Sequence, residues 1–127
     1  MKHNMVGWFE IPVADMERAK KFYETVFNVT ISIHDMGGLV MGWFPAAEDP
    51  KTSGSSGSLV MHKDFYKPSK DGVLIYFSSE DVDNELKRIE KSGGTILHKK
   101  TLISEDIGYM AVFIDTEGNR IALHSKK

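Results

Sequence analysis

One order of predicted elements occurs twice along this chain of 127 residues, and the repeat limits the folds that it can adopt. Residues 5–13 are apolar and aromatic and predict a strand. Asp15 can cap a helix that follows, in which apolar residues recur at helical spacing. In the second half, residues 73–78 predict a strand and Asp81 can cap a second amphipathic helix. Each half therefore begins as a strand followed by a helix.

Three further strands are predicted after each helix. They are expected at 29–33, 39–44 and 59–62 in the first half, and at 95–97, 109–114 and 120–124 in the second. Residues 35–38 predict a hairpin turn. Residues 45–58 are rich in Pro, Gly and Ser and predict a mobile loop, either a solvated connector or a substrate lid.

These elements predict one α+β domain over residues 1–127, made of two βαβββ modules. The modules cover residues 5–63 and 72–126, and residues 64–71 form a polar linker. Their curved mixed sheets would lie around a cleft, which is where small-molecule sites tend to form.

The composition excludes several classes of protein. Sixteen basic and 18 acidic residues give a formal net charge of −2, which does not favour binding to a phosphate backbone. No apolar run approaches the roughly 20 residues that a membrane span needs. Cysteine is absent, so disulfides, thiolate nucleophiles and zinc–cysteine sites are excluded. The first residues lack the apolar core of a signal peptide, and we expect a cytoplasmic protein without nucleic-acid or membrane partners.

Three stretches in order resemble the vicinal oxygen chelate superfamily, the group of glyoxalases, bleomycin-resistance proteins and ring-cleaving dioxygenases. They are EIPVADMERAKKFYETVF (10–27), SEDVDNELKRIEKSGG (79–94) and FIDTEGNRIAL (113–123). The resemblance implies paired βαβββ modules around a cleft and a homodimer. The enzymes of this family hold a divalent metal through His, Glu or Gln side chains at inward-facing strand positions, and the resemblance implies such a site here. The metal acts as a Lewis acid.

The positions that carry those metal ligands in the family hold other residues here. The resemblance places them at Trp8, Leu74 and Ala122, and at or near Val60. None of these side chains offers a suitable lone pair to a divalent cation. We therefore expect no metal and no other cofactor, which puts lyase and dioxygenase activity in doubt.

Polar residues next to these positions are candidates for chemistry. Glu10, His62 and His124 each lie two positions from one of them, and residues two apart on a strand share a face. They are candidate catalytic residues, or else partly solvated side chains at strand ends. Trp43 and Tyr109 are expected in the core, and Lys99 and Lys100 at a solvated end of a strand.

The sequence thus predicts a small organic ligand bound without the usual metal site. The expected ligand-binding residues are Trp8, Val60, Leu74, Tyr76 and Ala122. Two alternatives remain: a lyase or dioxygenase-type enzyme with a displaced metal or a metal-free acid–base site, and a non-catalytic dimeric regulatory domain. The sequence leaves open whether one chain or a dimer forms the cleft.

Overall fold

The computed structural model describes residues 2–127, which form two four-stranded sheets and two α-helices. Sheet one contains β1 (Glu10–Pro12), β2 (Ser32–Asp35), β3 (Val40–Trp43) and β4 (Ser58–Met61), in the order β1-β4-β3-β2. Sheet two contains β5 (Ile75–Ser78), β6 (Thr95–Ser104), β7 (Gly108–Ile114) and β8 (Arg120–Ser125), in the order β5-β8-β7-β6. In each sheet the first strand runs parallel to the last and the other pairs are antiparallel. The predicted α+β class and the two repeated modules are confirmed.

The two helices are α1 (Met16–Phe27) and α2 (Val82–Ile89), and both begin at the predicted caps. The carboxylate of Asp15 accepts a hydrogen bond from the backbone N–H of Arg18 at 3.1 Å. Asp81 accepts one from the backbone N–H of Asp83 at 3.0 Å. These bonds satisfy N–H groups that a helix start leaves without an intrahelical partner. No helix within residues 2–127 is long and apolar enough to cross a bilayer.

Helix α1 packs against one side of both sheets. The Tyr23 ring lies 5.6 Å from that of Phe44, at the end of β3, and 6.1 Å from that of Phe77 in β5, between ring centroids. The Phe22 ring lies 5.9 Å from that of Phe113 in β7. This side of both sheets is therefore buried, and the opposite side of each sheet faces away from the core. We call these opposite sides the open faces.

The turn between β7 and β8 ties the second module to the start of α1. The Glu117 carboxylate accepts hydrogen bonds from the backbone N–H groups of Ala14 (2.8 Å) and Asp15 (2.9 Å), and from Arg18 Nε (2.7 Å). In the same turn, Asp115 accepts the Tyr23 hydroxyl at 2.6 Å. The turn thus fixes the β1–α1 junction from the other module.

Several predicted strand limits are wrong. The strand expected at 5–13 is regular only at Glu10–Pro12, and the one expected at 29–33 is Ser32–Asp35. The loop expected to end at Ser58 ends at the residue before it, because Ser58 is the first residue of β4.

The strand expected at 95–97 continues to Ser104, so Lys99 and Lys100 lie inside it. Lys100 is not at a solvated end. Its ammonium lies 3.0 Å from the Asp81 carboxylate and 4.6 Å from the centre of the Tyr109 ring. These contacts stabilise a charged residue within a strand, an arrangement that the apolar pattern does not predict.

Candidate functional site

The open face of sheet one is defined by strand alternation. Ile11 and Leu59 belong to the core cluster, so their neighbours Glu10 and Ser58 point to the opposite side. Glu10, Ser58 and Trp43 lie side by side across β1, β4 and β3. Phe9 packs against Phe44 and its carbonyl oxygen accepts the N–H of Ser58 at 3.1 Å, so the chain is still paired with β4 there, and we infer that the preceding Trp8 lies on the open face.

This face has buried small residues at its centre and exposed aromatic rings around them. Ser58 and Val60 on the central strand are fully buried, whereas Trp8 is 45% and Trp43 is 37% exposed. Trp43 therefore does not lie in the core as expected. Its indole stacks on the imidazole of His34 with ring centroids 3.7 Å apart. The arrangement presents flat aromatic surface to whatever contacts this side of the sheet.

The hydroxyl of Ser58 is buried without a hydrogen-bond partner. Among residues 2–127 its Oγ is the one buried side-chain nitrogen or oxygen atom that lacks a partner. An unsatisfied buried hydroxyl costs free energy, so each such atom in a native structure requires an explanation. Here it lies on the open face, in register with Glu10 on one side and Trp43 on the other.

The open face of sheet two has a matching pattern. Tyr76 of β5 is in register with Ala122 of β8, and Leu74 lies two residues before Tyr76. Ala122 is fully buried and Tyr76 is 51% exposed. His124 follows Ala122 on the same face, in register with Met110 of β7.

The strand registers show how the two open faces correspond. Glu10 pairs with Ser58 in sheet one as Tyr76 pairs with Ala122 in sheet two. The position in sheet one that matches Ala122 is therefore Ser58, and Val60 lies two residues further along β4. The sequence could not assign this position because the loop before β4 offers no fixed spacing.

The side chains at the four corresponding positions do not fit a divalent metal. They are an indole at Trp8, a hydroxyl at Ser58, an isobutyl group at Leu74 and a methyl group at Ala122. Protein sites for such cations use imidazole, carboxylate or thiolate ligands. Within residues 2–127, no group of three or more His, Asp or Glu residues is arranged to hold a metal ion.

The candidate catalytic residues each have a local partner. Glu10 accepts a hydrogen bond from the Tyr66 hydroxyl at 2.8 Å, and this bond raises the pKa of Tyr66. The Nε2 atom of His124 lies 2.6 Å from the carbonyl oxygen of Ile107, to which it donates. The Nδ1 atom of His62 accepts the backbone N–H of Asp64 at 3.1 Å.

The three candidate catalytic residues do not lie together in the structure. Glu10 and His62 belong to sheet one and its end, and His124 belongs to sheet two. Within residues 2–127, no side-chain hydrogen bond or aromatic contact joins the two open faces. The predicted ligand-binding residues are thus divided between two surfaces, with Trp8 and Val60 on one and Leu74, Tyr76 and Ala122 on the other.

Two residues of this site were not found from the sequence. Ser58 lies at the end of a serine-rich loop, where an isolated hydroxyl is not distinctive. Tyr66 lies in the predicted linker, and no local spacing indicates that it reaches Glu10. Both contacts depend on tertiary structure.

Comparisons with known proteins agree with this architecture. The sequence model of the Glyoxalase/Bleomycin resistance protein/Dioxygenase superfamily matches residues 5–123. A Glyoxylase-like domain-containing protein from Didymella fabae is 25% identical over 121 residues, which cover 95% of this chain and 93% of that protein.

Two solved structures show the same fold. A mutant of glyoxalase I from Zea mays has a TM-score of 0.74 at 20% identity, and the match covers 94% of this chain and 45% of the maize chain. TnmS3, an antibiotic binding protein from Streptomyces sp. CB03234, has a TM-score of 0.61 at 24% identity, with 100% and 99% covered. With the family match over residues 5–123, these findings show that the chain belongs to the glyoxalase/bleomycin resistance protein/dioxygenase superfamily.

Proposed function

We propose that this protein binds a small, planar organic molecule on its open faces, without a resident metal ion. The observation that carries the proposal is the buried, unpaired hydroxyl of Ser58 beneath a surface edged by Trp8 and Trp43. The Ser58 Oγ is covered in the free protein, so a ligand would displace the side chains over it and supply the missing hydrogen bond with a polar group, while the indoles would contact its ring system.

Family membership supports binding of a small molecule as the general function. One structural relative that matches along its whole length, TnmS3, is described as an antibiotic binding protein. The maize relative is a glyoxalase, and this chain matches less than half of its length. The residues at the metal-ligand positions favour a binding role, because indole, hydroxyl and alkyl groups do not assemble a Lewis-acid centre.

An acid–base enzyme is less well supported by the same residues. A catalytic acid and base must both reach the reacting atoms. Glu10 and His124 lie on different open faces, and each already contacts a neighbouring group. The geometry thus favours ligand binding over proton transfer by these residues.

We further propose that two copies of the chain complete the site. Each open face alone would form only one wall of a binding site. Both faces expose large aromatic side chains: Trp8 is 45% exposed and Tyr76 is 51% exposed. Helix α1 occupies the region between the core sides of the two sheets. Placing sheet one of one copy opposite sheet two of the other would cover both aromatic surfaces.

A binding assay with paired variants tests the proposal. Tryptophan fluorescence and calorimetry would be recorded with 2-naphthol, 1-hydroxypyrene and 2-hydroxyanthraquinone as probes. Trp8→Ala should weaken binding by about tenfold or more, because it removes an aromatic wall. Phe65→Ala is the control for the loss of an exposed ring, since Phe65 is 79% exposed in the linker, where its ring contacts that of His62 and neither indole. Equal affinities of the two variants would contradict the assignment of the open faces.

A further inference from the structure

A groove of about 420 Å³ lies beside the linker, at the end of sheet one. Its apolar wall consists of Val13 and Ala14 after β1, Met61 at the end of β4, and Pro68 in the linker. We call it the linker groove. Its volume falls within the range of small-molecule sites, roughly 300–1,000 Å³, and such sites are mostly apolar with a few polar groups.

The polar groups of the linker groove are basic or hydrogen-bond donors. Lys63, Lys67 and the imidazole of His62 line it, and among its lining residues within 2–127 there is no carboxylate. The Lys67 ammonium donates to the carbonyl oxygen of Lys63 at 2.8 Å, and among residues 2–127 no Asp or Glu forms an ion pair with Lys63 or Lys67. Because His62 accepts the N–H of Asp64 at Nδ1, a neutral His62 ring carries its proton on Nε2 as a donor.

Tyr66 separates this groove from the open face of sheet one. Its ring lines the groove, and its hydroxyl donates to Glu10. Glu10 is thereby held toward the hydroxyl and does not line the groove. His62, which directly follows β4, lines it, whereas Trp8, Ser58 and Trp43 of the open face do not. The linker groove is thus a second surface with its own chemistry.

We propose that the linker groove binds a small organic anion, an aromatic or branched carboxylate whose apolar body lies on Met61 and Val13 and whose charge lies near Lys63 and Lys67. Charge complementarity selects this occupant. The exposed N-terminal segment of a second copy is apolar at Met5 and Val6 but carries the cation Lys2, which the two groove lysines would repel. Both lysines are exposed, and a neutral apolar molecule would gain no attraction from their ammonium groups.

Titration by NMR tests this proposal independently of ligand binding at the open faces. The ¹⁵N-labelled full chain would be titrated with 2-naphthoate and, separately, with neutral 2-naphthamide. We expect 2-naphthoate to shift the amide signals of Ala14, Gly38 and Lys63, which lie at the groove, and 2-naphthamide to bind at least tenfold more weakly. Shifts confined to the indole signals of Trp8 and Trp43, equal affinities, or no shifts at 10 mM would overturn the proposal.

Charge and steric variants complete the test. Lys63→Gln with Lys67→Gln should lower the affinity for 2-naphthoate about tenfold, and Ala14→Phe should abolish binding by filling the groove. Lys99→Gln, an exposed lysine of β6, is the matched control and should leave the affinity unchanged. If the shifts at Ala14 and Gly38 instead appear without ligand as the protein concentration rises, a second copy occupies the groove and the proposal is wrong.

Discussion

We propose that stability and function oppose each other at Ser58. Its hydroxyl is fully buried and has no partner among residues 2–127. Burial of an unsatisfied polar group costs about 1–3 kcal/mol. We propose that a ligand uses this hydroxyl, which the strand register places between Glu10 and Trp43 on the open face.

Ser58→Ala should therefore raise the free energy of unfolding while it weakens ligand binding. We expect a gain of about 1 kcal/mol in urea denaturation, because the unsatisfied hydroxyl is removed. We expect the affinity for the hydroxylated probes to fall about tenfold, since about 1.4 kcal/mol of hydrogen bonding is lost. Denaturation and calorimetry on the same preparations measure both effects.

Ser125 provides the matched control for this substitution. It is also buried, but its Oγ accepts the backbone N–H of Val82 at 3.2 Å and donates to the Lys127 carbonyl oxygen at 2.8 Å. Ser125→Ala should destabilise the protein by about 1–3 kcal/mol. A loss of stability in Ser58→Ala as large as that in Ser125→Ala would mean that Ser58 already has a partner in the free protein.

The β7–β8 turn joins the two modules through charge and hydrogen bonds. The Glu117 side chain is fully buried in its ion pair with Arg18, and it also accepts two backbone N–H groups before α1. Burial raises the pKa of Glu117, but the hydrogen bonds from Arg18, Asp15 and Ala14 oppose it, and the net effect lowers the pKa below its usual value. The turn thus depends on an ionised Glu117.

Glu117→Gln should destabilise the fold in a pH-dependent manner. Because the folded-state pKa is lowered, the charge of Glu117 contributes its full stability above the unfolded-state pKa of about 4.3. This contribution is lost as the pH falls through the lower folded-state value. In chemical denaturation at pH 7, we expect the free energy of unfolding of Glu117→Gln to be about 1–3 kcal/mol lower than that of the wild type. This difference should decrease toward zero in acid.

Glu48→Gln, in the exposed loop before β4, serves as the control for removal of one negative charge. It should leave the denaturation midpoint nearly unchanged at both pH values, since surface charges contribute little. A difference between wild type and Glu117→Gln that stays constant from pH 7 to pH 3 would contradict the role of the ionised carboxylate.

At the scale of elements, the sequence predicts helices better than strand limits. The caps Asp15 and Asp81 are local features, and both helices begin where these residues indicate. β6 is longer than predicted and contains Lys100, which contacts Asp81, 19 residues earlier in the sequence, and Tyr109 of the neighbouring strand. Likewise, the contacts of Glu117 with Ala14 and Asp15 connect residues in different modules, and no local pattern contains them.

At the scale of the molecule, the alternation of side chains along each strand indicates which candidate residues share a face of a sheet. It does not indicate how the two faces lie relative to each other. That arrangement depends on α1, whose Tyr23 and Phe22 pack on both sheets. We propose that the faces that carry Trp8 and Tyr76 are two walls of one binding site and that they meet across a dimer.

Mixing two variants with weakened binding distinguishes a dimeric site from one within a single chain. Trp8→Ala and Tyr76→Ala each damage one wall. After unfolding and refolding together, half of the dimers would be mixed, and each mixed dimer would hold one intact site and one doubly altered site. We expect recovery of about a quarter of the wild-type binding capacity, measured by calorimetry. No recovery in a preparation that sedimentation shows to be dimeric would place both walls in one chain.

The most direct test of the central proposal is probe binding with and without metal. Calorimetry with the hydroxylated polycyclic probes would be carried out on protein treated with EDTA and on the same protein incubated with Zn²⁺ or Ni²⁺. We expect the same dissociation constant in all three samples, because the side chains of Trp8, Ser58, Leu74 and Ala122 do not suit a divalent metal. Binding that appears only after metal is added, or no binding of any probe, would contradict it.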